Sequence, residues 1–397
     1  MNINVRKTAH VTRVGILGGG QLARMTAEAA LALDVEIFVL EREANSPAGQ
    51  IVGHQNEIVG DWRDRSTLAR LADQVDLITL ENEFVDPEAL AWLIDRGTPV
   101  YPGPVTLSMV GDKLRQKAAL AAAGLPVPPF RSIGSESDLR SAGEDFGWPV
   151  VLKTRRLGYD GHGNVLVHAH REAVSAIAQL GQPSGQRPGM ASPDDLYAEA
   201  YVPFAGELAV MVARGRAGDV AVYPVVQTFQ HTHICHEVVG PAQVSAEVAR
   251  RARDAAAAAV MAVGAIGVVG VELFWLPDDT VVINELAPRP HNSGHYTIEG
   301  AATSQFANHL RAVLGWQLGP SELAAPGVAM VNLLGTRSGP AEPRGIKEAE
   351  SLDRVWVHLY GKREVRRGRK MGHVTALGAT PDLALASARR AAGLIEW

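Results

Sequence analysis

The chain has 397 residues, 46% hydrophobic and 20% charged, enough for two or three domains with sizeable cores. Its 38 Lys and Arg against 43 Asp and Glu give a net charge of −5, which disfavours nucleic acid or an anionic membrane as the main partner. A single cysteine, Cys235, excludes a disulfide framework, and no apolar run approaches the ~18 residues of a membrane span. Cys235 itself reads as a small strand residue rather than a nucleophile. Residues 1–12 are polar and mildly basic without an apolar stretch, and read as a frayed tail rather than a signal.

In chain order, residues 14–17 form a short buried strand, Gly18-Gly19-Gly20 a turn, 21–33 a helix, and 35–40 a second strand ended by Glu41. This βαβ opening carries G-x-G-x-x-A at Gly18, Gly20 and Ala23. Glycines let the backbone approach a ligand, and the helix N-terminus favours an anion. Glu41 suits a ribose hydroxyl, as in a dinucleotide site, although the same turn also suits a single phosphate-bearing ligand. Strands at 75–80 and 98–101 flank a helix at 87–95. Glu81 then lies at the carboxyl end of a strand, where open α/β sheets bind ligands, and Glu83 reads as loop.

Residues 112–123 have a helical pattern bearing Lys113, Arg115 and Lys117, and stop at Gly124 and the prolines of 126–129. A strand over 148–153 presents Lys153. The loop Gly158-Tyr159-Asp160-Gly161-His162-Gly163-Asn164 follows, with amides able to cover phosphates and Lys153 as their partner. The same spacing also fits a plain hairpin turn. Residues 181–193 are a Gly/Pro/Ser-rich excursion. Strands are expected at 196–202, 207–214 and 220–228, and a glutamate at such a crossover suits an adenine or ribose. Gln230, His231, His233 and His236 make a histidine-rich stretch without a second clean ligand set for zinc. Residues 245–263 read as an Ala-rich helix.

Residues 268–276 and 280–286 are two apolar, β-branched runs around Pro277-Asp278-Asp279, a hairpin signal. With Asp278 and Asp279 as the turn, Glu272 falls opposite Glu285, and opposed residues have β-carbons about 4.5–5.5 Å apart. Two carboxylates that close require a proton or a divalent cation between them, unless the face is simply solvated. The next loop, residues 287–295, holds Arg289, His291, Asn292 and His295, more side-chain donors than packing needs. A helical run reaches 314, with Ser304 an inner start. Beyond residue 325 lie β-rich segments, a glycine-flanked basic turn over 361–373, and a last helix at 381–393.

Four motifs, in one order along nearly the whole chain, carry a resemblance: Gly18-Gly19-Gly20-Gln21-Leu22, Gly158-Tyr159-Asp160-Gly161, Asn284-Glu285-Leu286-Ala287-Pro288-Arg289 with His291 to His295, and Gly368-Arg369-Lys370-Met371-Gly372-His373. With them the chain resembles the ATP-grasp ligases, and more narrowly the 5-(carboxyamino)imidazole ribonucleotide synthetase family of purine biosynthesis. The resemblance implies an α/β fold of the α+β ATP-grasp kind. Its parts would be an N-terminal parallel-sheet βαβ substrate domain (13–112), a central two-lobed ATP-grasp domain (113–325, lobes 113–195 and 196–325) and a small β-rich C-terminal domain (326–397).

The same resemblance implies ATP and Mg2+ as cofactors. Lys113 and Lys153 would contact ATP, with Gly158, Tyr159, Asp160, Gly161, His162, Gly163 and Asn164 as its lid. Glu199, Ala200, Tyr201 and Val202 would hold the adenine edge and Glu207 the ribose; Asn284 would lie beside ATP, and Glu272 and Glu285 would bind the metal. Gly20, Gln21, Leu22, Glu81, Tyr159 and Asp160 would line the substrate pocket, and Lys362 and Arg369 would clamp the substrate phosphate. Arg289, His291 and Asn292 would face the bicarbonate-derived intermediate. The chain departs from the family at Gln230, where an ATP-contacting histidine is usual, and at Leu157, where a glycine is common. The implied enzyme is a cytoplasmic homodimer that uses ATP and bicarbonate to carboxylate 5-aminoimidazole ribonucleotide. Rival readings are another ATP-grasp enzyme such as a formate-dependent glycinamide ribonucleotide transformylase, a dinucleotide-dependent oxidoreductase, and a catalytically dead nucleotide-binding regulator.

Overall fold

The computed structural model describes residues 11–156, 163–181 and 195–397; the expected tail at 1–10, most of the glycine loop and the excursion after residue 181 lie outside them. Five parallel strands make the first sheet, in the order Glu57–Val59, Val35–Glu41, Thr12–Leu17, Leu77–Leu80, Val100–Tyr101. The order reverses between Thr12–Leu17 and Leu77–Leu80, so a crevice opens at their carboxyl ends. Gly18 to Gly20 and Glu81 meet there. Helix Gln21–Leu31 covers one face through Ala23, Ala27 and Ala30. Leu310 and Val313, from helix Gln305–Leu314 much later in the chain, complete that same core.

A four-stranded sheet follows, ordered Phe130–Ile133, Leu196–Ala200, Val150–Thr154, Asn164–Val167, with Leu152, Ala198 and Val167 buried beneath helices. The third sheet has nine strands and begins at the predicted hairpin. It runs through Gly206–Arg214, Val226–His231 and Ile234–Gly240, and Ile234–Gly240 pairs with Gly327–Leu334. The C-terminal strands therefore continue the central sheet. Helix Ala246–Ala262, capped by Ser245, lies on this sheet through Ala252, Ala256 and Ala259, whose small side chains permit close approach.

Two expected elements differ. A single strand over 220–228 is instead Val220–Val222 and Val226–His231, both paired with Gly206–Arg214; Pro224 between them has no N–H to continue the ladder. The hairpin turn has three residues, not two. Leu276 N–H donates to Thr280 O at 2.9 Å, and Asp279 sits at φ 62°. Near the turn the register is thus one residue off expectation, with Leu273 opposite Ile283. A bulge at Asn284 then inserts one residue and restores Glu272 opposite Glu285. The expected carboxylate pair stands, reached by two compensating steps.

Candidate functional site

The outer strand of the hairpin, Val281–Ala287, is the sheet's edge, and helix Lys113–Ala122 satisfies its backbone. Asp112 caps that helix by accepting from the Leu114 and Arg115 amides at 3.1 and 3.2 Å. Gln116, fully buried, then both donates to Leu286 O and accepts from Leu286 N, at 3.2 and 3.0 Å. Lys117 donates to Ile283 O at 3.2 Å. The helix so protects the edge and delivers Lys113, whose Nζ lies 2.7 Å from Glu285 Oε2.

The electrostatics of the pair are lopsided. Burial and the facing Glu285 push the Glu272 carboxyl up to about 8. Burial alone would also raise Glu285, but Lys113 outweighs it and holds Glu285 below the usual carboxylate range. Glu207, Thr228, Gln230, Glu272, Phe274 and Asn284 line one recess beside the pair. Burial pushes Glu207 up to about 7. Gln230, the departure from the family pattern, thus shares the recess with the residues expected to surround ATP.

Lys153 and Glu199 are joined, Nζ to Oε2 at 2.8 Å. Glu199, expected at an adenine edge, is 2% exposed and is also gripped by Lys117 Nζ at 3.2 Å and Tyr197 OH at 3.0 Å, both on Oε1. Burial would raise this carboxyl, yet Lys117 and Lys153 together hold it at about 2. Lys117, itself 1% exposed, goes the other way, down to about 8. One carboxylate serves two ammonium groups, so burial of Lys117 outweighs its share of the attraction. Sequence reasoning placed Lys117 on the helix and gave it no role; its spacing of four from Lys113 was the available signal. Of the crossover residues, Ala200 ends its strand, its N–H donating to Pro129 O at 2.9 Å, Tyr201 is exposed, and Val202 O accepts from Phe204 N at 3.0 Å.

Beyond the hairpin, Arg289 forms a two-point pair with Glu83, Nε to Oε2 at 2.5 Å and Nη2 to Oε1 at 3.2 Å. Glu83 was read as loop; it is the arginine's counter-ion, and despite burial Arg289 and Lys113 hold it at about 2. His291 Nδ1 accepts from Ser293 N at 3.4 Å, which leaves the ring proton on Nε2, 3.7 Å from Glu272 Oε1. Burial and Arg289 push His291 down to about 3, so the ring is neutral. Gly270 makes room for it, since a β-carbon there would lie 2.5 Å from His291 Cβ. Asn292 is tied down on one side. Its amide is paired reciprocally with Asn332 at 3.0 and 2.8 Å, a buried tie to strand Gly327–Leu334.

The crevice of the first sheet also differs from the dinucleotide reading. Glu81 accepts from Gly20 N at 2.6 Å and Leu22 N at 3.1 Å, and Glu41 from Gly19 N at 2.8 Å. A β-carbon on Gly20 would lie 2.3 Å from Glu81 Oε1, so the glycines admit a protein carboxylate, and Glu41 holds an amide where a ribose hydroxyl was expected. Burial raises the Glu81 carboxyl. Gln21 accepts from Lys362 Nζ at 2.6 Å, which brings the basic C-terminal turn onto the glycine loop. Arg369, half-buried, donates to Glu364 O at 2.9 Å, and burial and Arg366 lower its pKa. His231 and His236 face each other edge-on in a hairpin turned at Thr232 and His233, and no three His, Cys, Asp or Glu converge on a metal-sized site among the described residues. Leu157, Gly158, Tyr159, Asp160, Gly161 and His162 lie outside the described residues; Gly163, whose carbonyl accepts from Thr154 N at 2.8 Å, precedes the strand that Asn164 starts opposite Lys153.

Comparison with known proteins adds the family. The profile of the ribonucleotide synthetase preATP-grasp domain matches residues 11–111, that of the ATP-grasp domain residues 118–306, and that of the phosphoribosylaminoimidazole carboxylase C-terminal domain residues 328–387. The chain is 42% identical to a phosphoribosylaminoimidazole carboxylase of Schizosaccharomyces pombe over 93% of its own length, but spans only 65% of that relative. It is 39% identical to an N5-carboxyaminoimidazole ribonucleotide synthase of Synechococcus elongatus, covering 94% of this chain and 91% of that one. The crystal structure of N5-carboxyaminoimidazole synthase from Aspergillus clavatus, in complex with ADP and 5-aminoimidazole ribonucleotide, superimposes with a TM-score of 0.85 at 35% identity, covering 96% of this chain and 98% of that one. No helix among the described residues is long and apolar enough to cross a membrane.

Proposed function

Because the chain belongs to the N5-carboxyaminoimidazole ribonucleotide synthase family of ATP-grasp proteins, we propose that it carboxylates the exocyclic amine of 5-aminoimidazole ribonucleotide, using bicarbonate and ATP. The observation that carries the reading is the pair Glu272 and Glu285, opposed across the hairpin with Lys113 on one side and the Glu207–Gln230–Asn284 recess on the other.

The donor set fits magnesium. Mg2+ is usually bound by one or two carboxylates together with substrate phosphates, and two facing, partly exposed carboxylates are what such a site leaves the protein to supply. Glu272 and Glu285 would hold the ion, which when bound neutralises phosphate charge. The remaining work falls to the chain. Phosphoryl transfer needs positioning and charge neutralisation more than covalent chemistry. Lys113 and Lys153 supply fixed positive charge, Lys153 being held in place by Glu199. Glu199 acts through that lysine, while Ala200, Tyr201 and Val202 offer backbone to the adenine edge and Glu207 takes the ribose.

Bicarbonate is a poor electrophile; its phosphorylation gives carboxyphosphate, whose phosphate is a good leaving group. Arg289, fixed by Glu83, and the Nε2–H of His291 would receive that anion. Gly20, Gln21, Leu22 and Glu81 line the nucleotide substrate's crevice, with Lys362 and Arg369 beside its phosphate. Tyr159 and Asp160 orient the amine from the lid. Lid closure keeps water from a mixed anhydride that hydrolyses readily. Residues 13–112 and 113–325 serve as substrate and nucleotide units, and 326–397 as a C-terminal unit that carries Lys362 and Arg369, in a cytoplasmic homodimer.

The test is release of ADP and phosphate from ATP, magnesium, bicarbonate and 5-aminoimidazole ribonucleotide, with each component omitted in turn. Dependence on all of them is expected. Activity with formate in place of bicarbonate would favour the formyl-transferring rival, and ATP hydrolysis indifferent to the aminoimidazole would refute the reading. The oxidoreductase rival is disfavoured because Glu81 and Glu41 already hold the glycine-loop amides.

A further inference from the structure

The acceptor crevice and the nucleotide hairpin come from distant parts of the chain, yet one buried side chain joins them. His309, on helix Gln305–Leu314, is 1% exposed. Its Nδ1 accepts from the Val268 backbone N–H at 3.1 Å, and its Nε2 lies 2.8 Å from Thr79 Oγ1. A backbone N–H can only donate, so Nδ1 is the bare nitrogen and the ring proton sits on Nε2, directed at Thr79. Burial pushes His309 down to about 4, which keeps this one tautomer at neutral pH. Gly267, at φ 110°, admits the ring: a β-carbon there would lie 2.9 Å from His309 Cε1. Thr79 precedes Glu81 by two residues on its strand, and Val268 precedes Glu272 by four on the other. The helix between them belongs to both sides, with Leu310 and Val313 in the core of the first sheet.

We propose that His309 is a positioning residue that sets the spacing between the acceptor crevice at Glu81 and the nucleotide hairpin at Glu272, and thereby couples the two halves of the reaction. The inference rests on the function proposed above. Phosphoryl transfer to a bicarbonate oxygen gives ADP and carboxyphosphate. The amine nitrogen then attacks the carboxyl carbon, the C–O bond to phosphate breaks, phosphate leaves with the electron pair, and the nitrogen loses a proton. Water can attack the same carbon, returning bicarbonate and phosphate with nothing carboxylated. The productive route requires the amine within about 3–3.5 Å of that carbon, and a 1 Å misplacement can cost about 100-fold. Loosening the link between the two strands therefore favours water.

The experiment measures ADP released against radiolabelled bicarbonate fixed, in one reaction, for the full chain and for Thr79→Val, His309→Phe and His309→Gln. Thr79→Val keeps side-chain volume and removes only the hydroxyl. It is expected to raise the ADP-to-product ratio roughly two- to fivefold with the KM for ATP little changed. His309→Phe is expected to raise it further, and His309→Gln, which retains an N–H for Thr79, to restore part of the coupling. Should His309→Phe fail to fold, Thr79→Val decides alone. A Thr79→Val enzyme whose ratio equals the wild type's overturns the proposal, whatever its melting temperature, because a merely structural histidine would lower stability without diverting the intermediate. A wild-type chain with no bicarbonate- and aminoimidazole-dependent ADP release would instead sink the proposed function, and the coupling role with it.

Discussion

Replacing Lys117 by methionine tests the buried charge cluster that ties helix Lys113–Ala122 to strand Leu196–Ala200 of the four-stranded sheet. The lysine is 1% exposed and Glu199 2%, with 3.2 Å between Nζ and Oε1. A carboxyl held at about 2 rather than 4.5 represents roughly 3 kcal/mol of interaction, shared between Lys117 and Lys153. Lys117→Met also orphans Ile283 O, its other acceptor. Breaking a buried pair from one side costs about 3–5 kcal/mol, and here Glu199 is left with Lys153 alone of its two ammonium partners. For a domain of this size that lowers the melting temperature by roughly 6–20 °C. Glu199→Gln should cost about as much, since it leaves two ammonium groups facing each other. The double variant should lose less than the sum, by about 2 kcal/mol, because neither charge is then stranded. Thermal unfolding of the four proteins at one scan rate reads the cycle. Strict additivity, or a Lys117→Met protein that melts like the wild type, would show that the cluster does not hold the helix to that sheet and refute the reasoning.

Three further outcomes follow from the site. Glu272→Gln removes the repulsion against Glu285 and should leave the ligand-free protein as stable or more so, while turnover falls at least about 100-fold; a variant both active and unstable would contradict the metal assignment. Glu83→Gln strands Arg289 and should cost about 3 kcal/mol at pH 7. Because the folded Glu83 carboxyl sits at about 2, below its ordinary 4.5, this stabilisation is complete above pH 4.5 and is lost as pH falls toward 2. Urea midpoints of the two proteins should therefore converge across that window, and a gap that stays constant would count against the ion pair. Asp160→Asn should lower turnover sharply while ATP binding, followed by calorimetry, stays nearly intact; unchanged turnover would reject its role in orienting the amine.

How much was legible in the sequence depended on whether a residue's role was local. The Glu272–Glu285 pairing follows from strand periodicity and a turn only a few residues away, and even there the turn length and the Asn284 bulge were hidden. Each shifts the register by one, and their sum is invisible to a pattern that reads only which faces alternate. Asp112, Ser245 and Ser304 were readable as helix starts because a cap acts within three residues. By contrast, Glu83 with Arg289, Lys117 with Glu199, and Asn292 with Asn332 are separated by 206, 82 and 40 residues. Nothing about a glutamate in a loop says which distant arginine will neutralise it.

Those long-range pairs share a physical logic. Each takes a group that chemistry would need charged or oriented, and holds it with a second group from another element. Lys153 is fixed by Glu199, Glu199 by Lys117, Arg289 by Glu83, and the glycine-loop amides by Glu81. A charge that is already desolvated and paired before a ligand arrives does not have to reorganise when phosphate charge develops beside it, which is the main advantage of a preorganised site over water. The exception is Glu272, which faces a like charge and has His291 Nε2 at 3.7 Å. Its carboxyl, raised to about 8 by burial and by Glu285, marks a place where the folded chain is short of positive charge. On the proposed function, a cation and its phosphates would make up that deficit.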